Sequence, residues 1–237
     1  MRTRDLVTLI TLVTTLALSL GSTPTAFAAG SGGGGGGLST TYDNNRRALP
    51  PEELSKKAFR AGIKHRDRAL KQEARAASAS SDKKRERALA KAQKEYKKAI
   101  KKQSEAMQLD PQNYKAANEL GYAFRQTGEY EKAIGAYNYA LNLNPNFHQA
   151  TEYRAEAFLA LGLLEHTQNA YMVLFRNDKE LAAELMAKFD EWMTAKDGNM
   201  SPAEADFAAW VNERKNVARM SSELSMNNTR RWSSPKG

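Results

Sequence analysis

The side chains in this sequence that could take part in the widest range of reactions are its three histidines, His65, His148 and His166. A histidine ligates a metal or acts as a general base only when a suitable partner lies beside it. None of the three has another ligand at the spacing that metal sites use, and no His-Glu-x-x-His sequence is present. The histidines therefore predict neither a metal centre nor a catalytic base.

Other signatures of catalysis are also missing from the sequence. There is no cysteine, which excludes a thiolate nucleophile, cysteine-ligated zinc and disulfides. No phosphate-binding Gly-x-x-x-x-Gly-Lys-Ser/Thr loop, Gly-x-Ser-x-Gly elbow or dinucleotide fingerprint occurs. The carboxylates are numerous but occupy ordinary positions on predicted helix surfaces. We therefore expect a protein that is not an enzyme and that uses no cofactor.

One segment near the C-terminus partly matches a calcium-binding loop. Asp197-Gly198 and Glu204 fit the fifth, sixth and twelfth positions of an EF-hand. The first and third ligand positions would then be Met193 and Ala195, which cannot coordinate calcium. Ser201 to Glu204 instead matches a capping box, with proline in the first helical turn. The segment predicts a turn followed by a helix start, and no metal site.

The pattern that organises the chain is a repeat with a period of 34 residues. Such a period, with small residues at fixed points, is typical of stacked helical hairpins. The small residues let two backbones approach, while the large ones fill the seam between neighbouring hairpins. The identical pairs at this spacing are Tyr96 and Tyr130, Ala99 and Ala133, Ile100 and Ile134, Ala106 and Ala140, Leu109 and Leu143, Pro111 and Pro145, Phe124 and Phe158, Gly128 and Gly162, and Tyr137 and Tyr171.

The best copy of the repeat, residues 114–147, closely resembles the tetratricopeptide repeat (TPR) pattern. The next copy, 148–181, departs from that pattern at Arg154 and Thr167, where leucine and alanine are usual. The resemblance implies an all-α fold, a short TPR-like array of about two to three helical hairpins. The residues that carry the resemblance are Leu120, Gly121, Phe124, Gly128, Tyr130, Ala133, Tyr137, Ala140 and Pro145.

The resemblance also implies a function, which is binding a protein or peptide segment in a concave groove. In that family the ligand contacts come mostly from outward positions of each hairpin's first helix. A peptide-carboxylate clamp needs a Lys/Asn pattern of which only Asn118 and Arg125 are present, so the resemblance does not specify that ligand. Carried over to this sequence, the contact positions are Lys115, Asn118, Tyr122 and Arg125 in the first complete repeat and Gln149, Glu152 and Glu156 in the second.

The segment before the repeats is strongly basic and supports an alternative function. Residues 46–102 carry 20 Lys/Arg against 7 Asp/Glu, a net +13, whereas residues 103–237 carry 14 against 18, a net −4. Basic helices over 50–102 could bind an anionic envelope polymer or a membrane surface. Phe59 and Tyr96 are the only aromatic residues between 46 and 102, so stacking on nucleic-acid bases is poorly provided for. A third possibility is self-association, in which an end helix completes the array of another copy.

The first residues predict export. Arg2 and Arg4 precede an apolar stretch from Leu6 to Leu20, and Ala26-Phe27-Ala28 matches a signal-peptidase site. The apolar stretch is shorter than the roughly 20 residues that a membrane span needs, although an uncleaved anchor remains the alternative. We predict a signal peptide over 1–29 and a periplasmic or secreted protein. A glycine-rich leader over 30–49 should follow without fixed structure.

The rest of the chain divides by composition. We predict a basic helical region over 50–109 that ends in a half repeat, because nothing interrupts a single helix over 82–109. The TPR-like repeats should occupy 110–181 and capping helices 182–220, with the last helix fading near Arg219. The polar segment 221–237 is predicted to be a disordered tail.

Overall fold

The computed structural model describes residues 49–196 and 198–231. The predicted signal peptide, nearly all of the glycine-rich leader and the last six residues of the predicted tail lie outside these ranges. The described chain is helical throughout, so the prediction of an all-α helical array is confirmed. Its helices are α1 (Pro51–Ala77), α2 (Asp82–Leu109), α3 (Tyr114–Gln126), α4 (Tyr130–Leu143), α5 (His148–Ala160), α6 (Leu164–Asn177), α7 (Lys179–Lys196) and α8 (Pro202–Arg231).

The first six helices form three consecutive hairpins, α1–α2, α3–α4 and α5–α6. Each hairpin's second helix also contacts the first helix of the next pair, and α6 contacts α7 in the same way. The first helices contact one another in the order α1, α3, α5, α7 and so share one side of the array. We call this side, formed by α1, α3, α5 and α7, the first-helix face.

The half repeat predicted at 96–109 is completed by α1, which was not expected to supply a repeat helix. Large apolar residues are sparse on α1, so the sequence pattern did not predict how this helix packs. The hairpin is packed instead on small residues that allow close backbone approach: Ala58, Ala69 and Ala76 are buried on α1. The single helix predicted over 82–109 is confirmed as α2.

Two glycines of the repeat show why the pattern requires them. A Cβ on Gly121 would lie 2.6 Å from the Tyr137 ring, so α3 and α4 can meet only if residue 121 has no side chain. Gly128 adopts φ of 81° at the turn between those helices, a conformation that costs little for glycine alone. The 34-residue spacing places Gly162, with φ of 71°, at the corresponding turn between α5 and α6.

The end of the array has the largest apolar core. Leu185 and Phe189 of α7 are fully buried, together with Phe207 and Val211 of α8. The predicted capping box is present: Ser201 donates its backbone N–H to Glu204 Oε2 at 2.8 Å, and Glu204 donates its own N–H to Ser201 Oγ at 3.4 Å. The prediction that α8 fades near Arg219 is wrong. The helix continues to Arg231 because no glycine or proline interrupts it after Pro202.

Among the described residues, no helix is both long enough and apolar enough to cross a membrane.

Candidate partner-binding groove

The seven predicted contact residues all lie on α3 and α5, the first helices of their hairpins, but they differ widely in exposure. Lys115 and Gln149, which are related by the repeat, are exposed near the starts of these helices. Asn118 and Glu152, also related by the repeat, are each only 2% exposed. The remaining three, Tyr122, Arg125 and Glu156, are half-buried.

Arg125 joins the two repeats. Its Nη1 donates to Glu156 Oε2 at 2.7 Å, so that α3 is tied to α5. Its guanidinium lies 5.3 Å from the centroid of Tyr122 and 5.3 Å from that of Tyr153. A desolvated cation–π contact of this kind is worth about 2 kcal/mol. Burial, the largest single cause, opposes the charge of Arg125, but Glu156, Tyr137 and Tyr122 together outweigh it and hold the pKa of Arg125 above its usual value.

A second ion pair joins α1 to α3. Arg66 Nη1 donates to Glu119 Oε1 at 2.6 Å, across 53 residues of sequence. Burial raises the pKa of the Glu119 carboxyl, and the charge of Arg66 opposes that rise. The three first helices α1, α3 and α5 are therefore connected in series by two arginine–glutamate pairs.

Glu152 is the most unusual titratable group on the first-helix face. Burial, the largest cause, and the neighbouring carboxylate of Glu156 raise its pKa to about 8, while Arg125 opposes the shift. Glu184 of α7 adds negative charge from the other side. Arg125 is committed to Glu156, so Glu152 holds its proton near neutral pH. Its Oε2 has no hydrogen-bond partner among the described residues.

Tyrosine rings extend this polar cluster toward α2. The Tyr122 ring lies 5.3 Å from Tyr153 on α5 and 6.2 Å from Tyr96 on α2. Tyr96 is fully buried, and burial, the largest cause, raises its pKa. Glu73 of α1 lies against the Tyr96 hydroxyl, and burial raises the pKa of Glu73 as well. Aromatic and charged side chains thus fill the seams between successive first helices.

Five residues of this cluster were not predicted from the sequence. Glu119 and Tyr153 follow Asn118 and Glu152 by one residue and are themselves 34 apart, so reading the repeat one position further would have found them. The α1 residues had no such signal, because α1 shows no detectable copy of the repeat. The five are Arg66, Glu73, Tyr96, Glu119 and Tyr153.

A bound metal ion would need a close group of ligating side chains among the described residues. Within residues 49–196 and 198–231, no three histidine, aspartate or glutamate side chains are grouped closely enough to hold an ion. The acidic groups of the first-helix face lie beside arginine instead. The chemistry available there is ion pairing, hydrogen bonding and stacking on tyrosine rings.

Comparison with known proteins identifies the repeat. Residues 114–147, which form α3, α4 and the following turn, match the tetratricopeptide repeat family. This segment of the chain is therefore similar to a TPR. The neighbouring hairpins α1–α2 and α5–α6 flank this segment on either side and pack as further units of the same array.

Two of the solved structures that match this chain contain TPR domains. One is the Sgt2 TPR domain from Aspergillus fumigatus, with 16% sequence identity, a TM-score of 0.38 and coverage of 77% of this chain and 85% of the other. The other is the first TPR of Spaghetti (RPAP3) bound to the HSP90 peptide SRMEEVD, with 16% identity, a TM-score of 0.37 and coverage of 67% and 95%. The search of curated proteins found no match.

Proposed function

We propose that this protein is a non-catalytic interaction module that binds a segment of a protein partner along the first-helix face. The observation that supports the proposal is the series of contacts that joins α1, α3 and α5. Arg66 with Glu119 and Arg125 with Glu156 fix the relative positions of these helices before any partner arrives. A preorganised surface loses less entropy on binding.

Exposed residues on the same face would provide the recognition. Lys115 and Gln149 are open to solvent at equivalent positions of adjacent repeats. Tyr122, half-buried on α3, would add an aromatic contact, whereas the charge of Arg125 is already paired with Glu156. The proposal therefore gives two roles to four of the seven predicted residues. Lys115 and Gln149 contact the partner directly, and the buried Asn118 and Glu152 support the wall beneath it.

Selection from a random-peptide display library, with the full chain as bait, tests this proposal. The groove variant is Lys115→Glu with Gln149→Glu, both at exposed positions of first helices. The matched control is Lys101→Glu with Asn142→Glu, which makes the same charge change at exposed positions of second helices. Selected peptides should bind the control like the parent and lose at least about tenfold in affinity for the groove variant, equivalent to 1.4 kcal/mol. Equal binding to both variants would overturn the proposal.

We also propose that the protein is exported. The support is the arrangement of Arg2, Arg4, the apolar stretch and Ala26-Phe27-Ala28 in the sequence. Fractionation of source cells, followed by N-terminal sequencing of the purified protein, tests it. A mature N-terminus at residue 30, directly after the predicted signal peptide, in an extracytoplasmic fraction is expected. A full-length chain in the cytoplasm would contradict export.

A further inference from the structure

The α1–α2 hairpin extends beyond the rest of the array. Gln93 Nε2 of α2 donates to the carbonyl of Gln126, the last residue of α3, at 2.8 Å. Residues 82–91 of α2 therefore lie past the end of α3, together with the last turns of α1. At about 1.5 Å per residue, the extension is roughly 15 Å long. It is longer than packing against α3 requires, and we call residues 71–91 the hairpin tip.

The hairpin tip carries an open, solvent-exposed cavity of about 380 Å³ between the end of α1 and the start of α2. Four of its nine lining residues are cations, Arg75, Lys84, Arg87 and Lys91, and none is acidic. Ser78 and Ser80, in the connecting turn, and Gln72 also line it and add neutral polar groups. A volume of this size lies at the lower end of the range for small-ligand sites.

The four cations have no acidic partner in the described chain. Lys84 donates only to the Ser80 hydroxyl, at 3.2 Å. Three acidic residues, Glu73, Asp82 and Glu86, lie within two residues of a cavity cation in sequence, but none of them lines the cavity, and Asp82 pairs with Arg85 at 2.8 Å. Other basic residues of the same helices do form pairs, such as Lys98 with Glu95 at 2.5 Å. Across the described residues, unpaired basic residues occur along both helices, and the hairpin tip differs from the rest because four of them line one cavity.

The spacing of these residues concentrates like charges. Lys84, Arg87 and Lys91 are three and four residues apart on α2, so they share one helix face. Like charges at this spacing destabilise a helix, and Arg75 adds a fourth charge from α1. A multiply charged anion in the cavity would relieve all four at once.

We propose that the cavity of the hairpin tip is a binding site for a multiply charged phosphate ligand. Two guanidinium groups can each bind a phosphate through paired N–H donors, and two ammonium groups supply further charge. A single carboxylate would neutralise only one of the four cations. An oligophosphate or a terminal phosphate ester of a lipid headgroup carries more charge per volume and fits this donor set better. This site is separate from the first-helix face and does not depend on the function proposed for it.

The test uses the full chain and two variants with equal charge changes. The tip variant replaces Arg75, Lys84, Arg87 and Lys91 with glutamine, all of them at exposed positions. The control variant replaces two arginines and two lysines at exposed positions away from the cavity. Circular dichroism first confirms that both variants are as helical as the parent, which glutamine should permit. The control positions are Arg60, Lys64, Arg68 and Lys101.

Two probes distinguish the sources of phosphate, at one fixed ionic strength. Tripolyphosphate is titrated into each protein by calorimetry, and phosphatidylcholine vesicles with and without phosphatidic acid are tested by flotation. The parent chain should bind at least one probe, the tip variant should bind it about tenfold or more weakly, and the control should stay within about twofold of the parent. Binding of tripolyphosphate alone assigns a soluble ligand, and binding of phosphatidic acid vesicles alone assigns a headgroup. Absence of binding to both probes, or equal loss in both variants, would overturn the proposal.

Discussion

Arg125 and Glu156 form an ion pair of 2.7 Å between α3 and α5, with only 13% and 14% of their side chains exposed. Because the pair is mostly buried, removing one member leaves a charge without compensation. Glu156→Gln should lower the free energy of unfolding by about 2–4 kcal/mol in urea denaturation. The double variant Arg125→Met with Glu156→Leu should lose less stability than Arg125→Met and Glu156→Leu lose in sum when each is made singly. Strict additivity would show that the pair contributes no coupling.

The buried carboxyl of Glu152 should make stability depend on pH. Its pKa of about 8 in the folded protein lies above the unfolded value, so its favourable contribution is complete below the unfolded value and is lost as the pH rises toward 8. Glu152→Gln mimics the protonated form and removes this dependence. The variant should have about the same free energy of unfolding as the parent near pH 5 and a higher one near pH 8.5.

Urea titrations of both proteins at several pH values measure this difference. The charged groups that face Glu152, namely Arg125, Glu156 and Glu184, are common to both proteins, so their direct contributions cancel to first order. The difference in unfolding free energy should grow by no more than about 1.4 kcal/mol per pH unit, the limit for one proton. A difference that stays constant from pH 5 to 8.5 would contradict the assignment.

The glycines of the central hairpin should respond to alanine in opposite directions. Gly121→Ala places a Cβ 2.6 Å from the Tyr137 ring and should destabilise by about 1–3 kcal/mol. Gly135→Ala, in α4 with no atom within 4 Å of the new Cβ, should stabilise by about 0.5–1 kcal/mol. Thermal unfolding of the two variants beside the parent checks both signs. A loss at Gly135 equal to that at Gly121 would show that the Tyr137 contact is not what makes residue 121 intolerant of alanine.

The sequence predicted best those helices whose positions follow from the repeat spacing alone. The 34-residue period located α3 to α6 and the turns at Gly128 and Gly162, because each repeat makes the same local contacts. The role of α1 was missed for a physical reason. Its interface with α2 is built from alanines such as Ala69 and Ala76, whose burial leaves no strong apolar pattern.

The sequence predicted which helices carry the candidate contact residues, but not how each residue packs. The TPR resemblance implied outward positions for Lys115 and Gln149 and likewise for Asn118 and Glu152. It could not show that Asn118 and Glu152 would be buried, since burial depends on neighbours that come from other helices. Pairings such as Arg66 with Glu119 join residues 53 apart and leave no local trace in the sequence.

The most direct test of the account is site-specific photo-crosslinking of the full chain in its source cells. A photoreactive amino acid is placed at Lys115 or Gln149 on the first-helix face, and at Lys101 or Asn142 on second helices as controls. All four positions are exposed, so substitution should leave folding intact. The account predicts one protein partner crosslinked from both 115 and 149 and from neither control. Crosslinks only from 101 or 142 would contradict binding on the first-helix face.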